Sequence, residues 1–275
     1  ALPIYIDDPL EAAEEAVSAI EAEGADLVVA LAPLGLADLY EEDYFSDEEL
    51  AAARETFSGR VDLIIDGNSD YNYDEPLRLG ETVITAADAD ENLDGMELSL
   101  DDGELVAAEA LAIDEVIAEA EQFREEGPPV DTLTIVHTDN LHDRALGGQT
   151  DELTGLLDIS AVVRSARNRG ETVVIDAGQF DGEAVMREYD EAGRSALAEA
   201  VDTIGYDALV PAAGDFYGGI DPLREFAHKA DAVPLSANLE KDNEPLFRPY
   251  EVFEREHANV GVFGLTEEGI RDIVA

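Results

Sequence analysis

The chain has 275 residues, and 66 Asp and Glu against 16 Lys and Arg give it a formal net charge of −50 at pH 7. Such a charge repels nucleic acid and anionic membranes, so both are excluded as partners. The absence of Cys excludes disulfides, a thiol nucleophile and thiolate metal sites. The sequence shows neither a membrane-spanning apolar run nor a signal-peptide pattern, and it leaves the compartment open.

The acidic residues are spread over predicted helix faces and are not gathered in a tail. This composition resembles that of proteins from extreme halophiles. At molar salt the Debye length falls to about 3 Å, which screens the repulsion between the carboxylates. We therefore expect a halophilic source and a dependence on high salt and its cations for solubility. A single carboxylate in such a chain is weak support for a functional site.

The first half of the chain predicts helices and buried strands, followed by hairpin strands. Helix 8–23 carries apolar residues at helical spacing and is closed by Gly24. Gly127-Pro128-Pro129 ends the last helix of this half and is the best internal boundary. The other predicted elements are strands 26–31 and 61–65, helix 46–57, strands 76–79, 82–86, 96–100 and 104–113, and helix 114–126.

The second half repeats the alternation of strand and helix, which predicts an α/β or mixed sheet covered by helices. Strands in both halves end in polar turns, and in such sheets the cleft lies at those ends. Strand 132–137 is followed closely by Asp139, Asn140 and His142. This pattern predicts either a metal-binding site at the edge of the sheet or a turn in which these side chains cap backbone groups. The remaining predicted elements are helices 153–169, 191–204 and 222–230, strands 172–176, 208–210 and 233–237, and an antiparallel pair, 247–253 with 259–265.

Five segments at these strand ends resemble the signature blocks of the calcineurin-like metallophosphoesterases, and the most similar branch is the 5′-nucleotidase type. Connecting phrases such as GYDALVPAAGDFYGGIDPLREF and VDLIIDGNSDYNYDEP are similar as well, so the resemblance covers nearly the whole chain. It implies a single domain over residues 1–275, folded as a four-layer αββα sandwich. The five segments are 133–143, 173–182, 207–221, 28–36 and 62–70.

The order of the blocks departs from the family. In the family, the segment that matches residues 133–143 comes first in the domain, and the segment that matches residues 1–127 comes last. The sequence therefore predicts a circular permutation, in which 1–127 corresponds to the C-terminal half of the usual domain and 130–275 to the N-terminal half, with the joint at 127–129. Permutation is tolerated where chain termini are close and exposed. A domain cut from a tandem array and an engineered protein would show the same order.

The resemblance also implies two metal ions about 3.5–4 Å apart, which need a bridging Asp surrounded by His, Asn and Asp ligands. The bridging position follows Asp176 and holds Gln179, a neutral amide. Asn140 stands where the family has an Asp ligand, while His142 is retained. In the other three blocks, Ala213 and Gly214 replace an Asn ligand and the catalytic His, Pro33 replaces a His, and Asn68 and Asp70 replace two more.

Amides are weak ligands for transition metals, and two ions without a bridging carboxylate repel each other. We therefore expect no cofactor and a catalytically inactive domain that serves as a structural or interaction module, with a protein or a neighbouring domain as partner. One alternative is a residual metal-dependent phosphoesterase using His142, Asp139 and Asp70. Asp139, Asp143 and Asp215 could also hold a hard divalent ion through oxygen ligands. The other alternative is a small-ligand binding protein that uses the vacated cleft.

Overall fold

The computed structural model describes residues 4–32, 56–67, 77–85, 93–101, 104–111, 132–139, 156–178, 191–216 and 218–267. Its helices of three or more turns alternate with strands, as the sequence predicts. They are α1 (Pro9–Glu23), α2 (Leu156–Arg169), α3 (Glu191–Ile204) and α4 (Ile220–Lys229). None of the helices in these ranges is long and apolar enough to cross a membrane.

The strands are short, between two and nine residues each, and most match a predicted strand to within three residues at either end. They are β1 (Ile4–Ile6), β2 (Leu27–Leu31), β3 (Leu63–Ile65), β4 (Leu77–Leu79), β5 (Thr82–Thr85), β6 (Leu93–Asp101), β7 (Glu104–Leu111), β8 (Thr132–Thr138), β9 (Glu171–Asp176), β10 (Ala208–Leu209), β11 (Val233–Pro234), β12 (Leu239–Lys241), β13 (Glu244–Pro245), β14 (Tyr250–Glu254) and β15 (Asn259–Gly264).

Twelve of these strands form two six-stranded sheets. The first sheet has the order β11-β10-β9-β8-β6-β7, and the second has the order β14-β15-β2-β3-β5-β4. Strands β8 to β11 run parallel to one another, as do β15, β2, β3 and β5. Each sheet combines strands from both sides of the predicted joint.

The buried side chains separate into layers because alternate residues of a strand face opposite sides of its sheet. Leu27, Val29 and Leu31 of β2 pack between the two sheets against Leu133 and Ile135 of β8. The alternate residues of β2 face α1 on the outside of the second sheet. Helices α2, α3 and α4 cover the outside of the first sheet. The predicted helix–sheet–sheet–helix arrangement is therefore confirmed.

The local sequence explains the ends of α1. The Asp8 carboxylate accepts hydrogen bonds from the backbone N–H groups of Leu10 and Glu11, which satisfies donors that the first turn leaves open. Gly24 ends the helix in the left-handed conformation at φ 81°, which a residue with a side chain rarely adopts. The helix then turns directly into β2.

A third sheet of three short strands, in the order β1-β12-β13, is not among the sequence predictions. Its strands are two or three residues long, so local alternation carries almost no signal for them. Strand β11 is also shorter than predicted and pairs with β10 over Val233 and Pro234 alone. The predicted helices 46–57 and 114–126 lie almost entirely outside the described residues.

Candidate functional site at the strand ends

The C-terminal ends of the central strands of both sheets come together at one edge of the sandwich. A Cβ atom built on Gly67, just after β3, would lie 1.8 Å from the carbonyl oxygen of Ala177, just after β9. Only a residue without a side chain allows this approach. The two sheets therefore meet where the sequence places the cleft, with a block from each half of the chain on either side.

Asp176 ends β9 and is fully buried at this edge. Its Oδ2 atom accepts a hydrogen bond of 2.6 Å from the Thr138 hydroxyl, and its Oδ1 atom accepts one of 3.0 Å from the Gly178 N–H. The Thr138 hydroxyl also lies 3.1 Å from the Tyr206 hydroxyl. Burial raises the pKa of Asp176 well above its usual value, and the nearby Asp215 adds to the rise, although the hydrogen bonds oppose it. Burial thus favours the neutral form of the acid, and the two hydrogen bonds favour the carboxylate.

The block at residues 212–215 forms a short 3₁₀ turn, Ala213–Phe216, beyond the end of β10. The buried Asp215 carboxylate accepts a hydrogen bond of 2.9 Å from the Ala212 N–H and so closes the turn. The Ala213 N–H donates to the Glu267 carboxylate at 3.0 Å. Asp215 and Ala213 thus fix the backbone here, and Gly214 is buried between them.

Two further carboxylates are buried at the same edge. Asp139 follows β8 and is 1% exposed, and Asp66 follows β3 and is completely buried. Asp139 is among the predicted site residues, but Asp66 is not. Asp66 could have been predicted, because it directly follows the fully buried Leu63–Ile65 strand and precedes the glycine at the sheet contact.

His137 is a second residue that sequence reasoning missed as part of this region. It lies on the same face of β8 as Leu133 and Ile135, which is the face between the sheets. The side chain is completely buried, and neither ring nitrogen has a hydrogen-bond partner among the residues that the structure describes. Burial lowers its pKa to about 3, so the imidazole is neutral.

The remaining predicted site residues lie outside the described part of the chain, and their positions stay predictions. They are Pro33, Asn68, Asp70, Asn140, His142, Asp143 and Gln179.

The described residues at this edge do not fit the di-metal centre that the family resemblance implies. Both oxygen atoms of Asp176 already accept hydrogen bonds, and one oxygen atom of Asp215 accepts a backbone N–H. Ala213 and Gly214, where the resemblance implies an Asn ligand and the catalytic His, offer no side-chain ligand atom. Within the described ranges, three ligand atoms lie within 4.8 Å of one another at Glu171, Glu256 and His257, which are at the opposite end of β9.

Comparison with known proteins gives partial matches. The chain is 27% identical over 143 residues to the 5′-nucleotidases of Vibrio vulnificus and Vibrio parahaemolyticus, and these matches cover 50% of this chain. The chain spans about a quarter of the length of these curated relatives. No protein-family model matches.

Solved structures with a similar arrangement include the 5′-nucleotidase precursor of Thermus thermophilus, at 27% identity and a TM-score of 0.42, covering 50% of this chain and 29% of that protein. The calcineurin-like phosphoesterase YfkN of Bacillus subtilis aligns at 20% identity and a TM-score of 0.41, covering 50% of this chain and 49% of that protein.

Two facing mixed sheets between helix layers form a sandwich of the metallophosphoesterase type. Over half of its length the chain is similar to 5′-nucleotidases.

Proposed function

We propose that this domain no longer hydrolyses phosphate esters and acts as a structural or interaction module at high salt. The observation that carries the proposal is the state of the block at residues 176–179. Its buried Asp176 is hydrogen-bonded to Thr138 and to the Gly178 N–H, and its bridging position holds the amide of Gln179. A neutral amide at the bridging position cannot offset the repulsion between two divalent ions.

The hydrogen bonds that the buried acids accept support the same proposal. Asp176 and Asp215 hold backbone N–H groups at the ends of β9 and β10, which is the role of a capping side chain. A carboxylate that closes a turn is stabilised in the folded protein by that turn. Recruiting it as a metal ligand would leave the buried N–H group without a partner, at a cost of about 1–3 kcal/mol.

The net charge supports the proposal that the domain works at high salt. With a charge of −50, the folded state is destabilised by repulsion at low ionic strength and gains stability as salt screens it. The same charge favours a protein partner or neighbouring domain over nucleic acid or an anionic membrane.

We also propose that the chain is a circular permutation of the usual domain. Asn238 supports this, because its carbonyl oxygen accepts the Asp7 N–H at 2.9 Å and its side-chain oxygen accepts the Thr266 N–H at 2.8 Å. Segments near the two ends of the chain therefore meet at one residue. Ala1 and Ala275, whose separation the permutation predicts to be short, lie outside the described residues.

A reordered gene tests the permutation. Joining Ala275 to Ala1 with a short Gly-Ser linker and opening the chain between Gly127 and Pro128 restores the family's order. This protein is expected to fold with a circular dichroism spectrum and a cooperative urea transition close to those of the original chain. Failure to fold, while a chain with the same linker appended at Ala275 still folds, would reject the proposed permutation.

The test of the functional proposal is a phosphatase assay on nucleoside monophosphates in molar KCl, with Mn²⁺, Co²⁺ or Zn²⁺ added. The matched control is Gln179→Ala, which removes the amide at the bridging position. We expect both proteins to release phosphate at the metal-only background rate. Metal-dependent turnover that Gln179→Ala abolishes would overturn the proposal and support the residual phosphoesterase instead.

A further inference from the structure

The turn between β14 and β15 contacts the N-terminal end of β9, at the opposite end of the strand from Asp176. Glu171 begins β9, and its carboxylate accepts hydrogen bonds from the backbone N–H groups of Glu256 and His257. The Glu171 side chain is 18% exposed. Because β9 belongs to the first sheet and the turn to the second, this carboxylate joins the two sheets.

Three side chains that can bind a metal ion converge at this contact. The Nδ1 atom of His257 lies 3.0 Å from Oε2 of Glu171. One ligand atom from each of Glu171, Glu256 and His257 lies within 4.8 Å of the other two. In the part of the chain that the structure describes, no other three His, Asp or Glu side chains come together in this way.

The imidazole distinguishes this cluster from the scattered surface acids, because the chain has 4 His against 66 Asp and Glu. One imidazole nitrogen with two carboxylate oxygens is a donor set that suits Zn²⁺ and the neighbouring first-row ions. Ca²⁺ and Mg²⁺ prefer oxygen ligands alone and in larger number. The donor atoms therefore favour a first-row ion.

The local charge favours a bound cation as well. Burial opposes the ionised form of Glu171, but its hydrogen bonds with Glu256 and His257 outweigh burial and lower its pKa. Arg255 is the neighbouring cation along the chain, and it pairs with Asp207 at 2.9 Å. Among the described residues, no Lys or Arg forms an ion pair with Glu171 or Glu256. A divalent ion would neutralise these two carboxylates together.

The spacing of the ligand atoms is close to that of a tetrahedral site. Zinc lies about 2.0–2.2 Å from nitrogen and oxygen ligands, so neighbouring ligand atoms lie about 3.4 Å apart. The 3.0 Å between Nδ1 of His257 and Oε2 of Glu171 is near this value. Glu256 is exposed on the turn, so rotation of its side chain can complete the set. The fourth position would be left to water.

From the donor set and its spacing, we propose that Glu171, Glu256 and His257 form a zinc-binding site that fastens the β14–β15 turn to β9. Two ligands come from the turn and one from the strand, so the ion links the two sheets at this end. The site is separate from the strand-end region, and the proposal stands whether or not the domain hydrolyses phosphate esters. Mn²⁺ binds such donor sets most weakly among the first-row ions, so zinc is the ion to test.

Calorimetric titration of the chain with Zn²⁺ in 0.5 M KCl at pH 7 tests the imidazole ligand. His257→Gln removes the nitrogen donor, and the matched control His228→Gln removes an imidazole from an exposed position on α4. We expect saturable binding of one Zn²⁺ per chain, weakened at least about tenfold in His257→Gln and unchanged in the control.

A second pair of variants tests the exposed carboxylate and leaves Glu171, which also closes the turn, unchanged. Glu256→Gln removes a ligand, and Glu254→Gln removes the same charge from an exposed position two residues away that is not part of the cluster. We expect Glu256→Gln to weaken Zn²⁺ binding about tenfold and Glu254→Gln to weaken it less than twofold. Circular dichroism confirms that each variant folds.

A third variant separates this site from the strand-end region. Gln179→Ala changes the position where the family resemblance implies a bridging ligand, and we expect it to bind Zn²⁺ as the wild-type chain does. Thermal unfolding gives an independent readout, because an ion that binds only the folded chain raises Tm. At free Zn²⁺ of about 100 times Kd, we expect a rise of about 5 °C.

Four results would overturn the proposal. The first is the absence of saturable Zn²⁺ binding to the wild-type chain. The second is equal affinity in His257→Gln and His228→Gln, which would place the ion away from the turn. The third is equal weakening in Glu256→Gln and Glu254→Gln, which would mean that the ion follows net charge alone. The fourth is loss of binding in Gln179→Ala, which would place the ion in the strand-end region.

Discussion

The two ends of β9 carry acids in opposite states. Asp176, at the C-terminal end, is fully buried, has hydroxyl and backbone N–H partners, and has a raised pKa. Glu171, at the N-terminal end, is partly exposed and accepts hydrogen bonds from the N–H groups of Glu256 and His257 and from the His257 ring. Burial opposes the ionised form of Glu171, but these hydrogen bonds outweigh it and lower its pKa.

This difference shows how a chain with a net charge of −50 uses its carboxylates. At the exposed end of the sheet an ionised acid is stabilised by a cationic or N–H partner. At the buried end, Asp176 has a raised pKa and closes a turn. Mutations at the two ends are therefore expected to have different effects on stability.

The largest expected effect is at the contact between the sheets. Gly67→Ala places a Cβ atom 1.8 Å from the Ala177 carbonyl, so the backbone must move, and we expect the free energy of unfolding to fall by about 3 kcal/mol. Urea denaturation at molar KCl measures this loss. Gly24→Ala is the control, because its Cβ meets no atom within 4 Å and only the positive φ is costly, at about 1 kcal/mol. Equal losses in the two variants would show that the sheets do not meet at Gly67.

The next effect concerns Asp176. Asp176→Ala leaves the Thr138 hydroxyl and the Gly178 N–H without their buried partner, and we expect a loss of about 2–3 kcal/mol at pH 7 in the same assay. Asp176→Asn keeps the shape and is expected to cost less than about 1 kcal/mol, because it removes a charge that burial disfavours. A similar loss in both variants would mean that the ionised carboxylate is required, which contradicts our account of this end.

The difference in stability between Asp176→Asn and the wild type is expected to change with pH in one direction. A carboxyl group whose pKa is raised on folding stabilises the protein most below its unfolded pKa of about 3.9, and this contribution is lost as pH rises toward the folded pKa. Measured against wild type, Asp176→Asn should therefore become relatively more stable as pH increases from about 4 to about 7. A constant difference over this range would show that the pKa of Asp176 is not raised.

A smaller effect is expected beside the other end of β9, where the hairpin between β14 and β15 docks. Arg255 pairs with Asp207 at 2.9 Å, and each side chain is 21% exposed. Arg255→Ala leaves Asp207 without its cation, and we expect a loss of about 1–2 kcal/mol after allowing for solvent screening. Arg248→Ala, which breaks the more exposed pair with Glu251, should cost less than about 0.5 kcal/mol. Equal losses would show that burial of the Arg255 pair is unimportant.

The smallest effect is at Glu171 itself. Its lowered pKa stabilises the fold above the unfolded value of about 4.3, and this contribution is lost as pH falls through the folded pKa. We expect Glu171→Gln to cost about 0.5–1 kcal/mol at pH 7 and almost nothing at pH 3. The contribution of Glu171 to stability therefore changes with pH in the direction opposite to that of Asp176. A loss that grows on acidification would contradict the comparison.

Much of the fold could be predicted because local signals are strong in particular segments. The Asp8 cap and Gly24 define α1, and the continuous apolar residues of β2 and β3 identify buried parallel strands. The third sheet could not be predicted, because its two- and three-residue strands form only through long-range pairing, as between Ile6 and Leu239.

The candidate site was predictable as a location and less so as a set of side chains. The polar turns after the strands indicate the edge at which Asp139, Asp176 and Asp215 are buried. The sequence does not show that Asp176 accepts a hydrogen bond from Thr138, or that His137 is completely buried between the sheets. These depend on the register of β8 against β9 and on the facing sheet, which local patterns do not encode.

The central claim is that the strand-end region holds no di-metal centre, and metal stoichiometry tests it most directly. The wild-type chain and Gln179→Ala are dialysed to equilibrium against micromolar Mn²⁺ in 2 M KCl, and the bound metal is measured by mass spectrometry. The high salt suppresses binding to scattered surface carboxylates. Our account predicts less than about 0.2 Mn²⁺ per chain in both proteins. About two Mn²⁺ per wild-type chain, lost in Gln179→Ala, would contradict it.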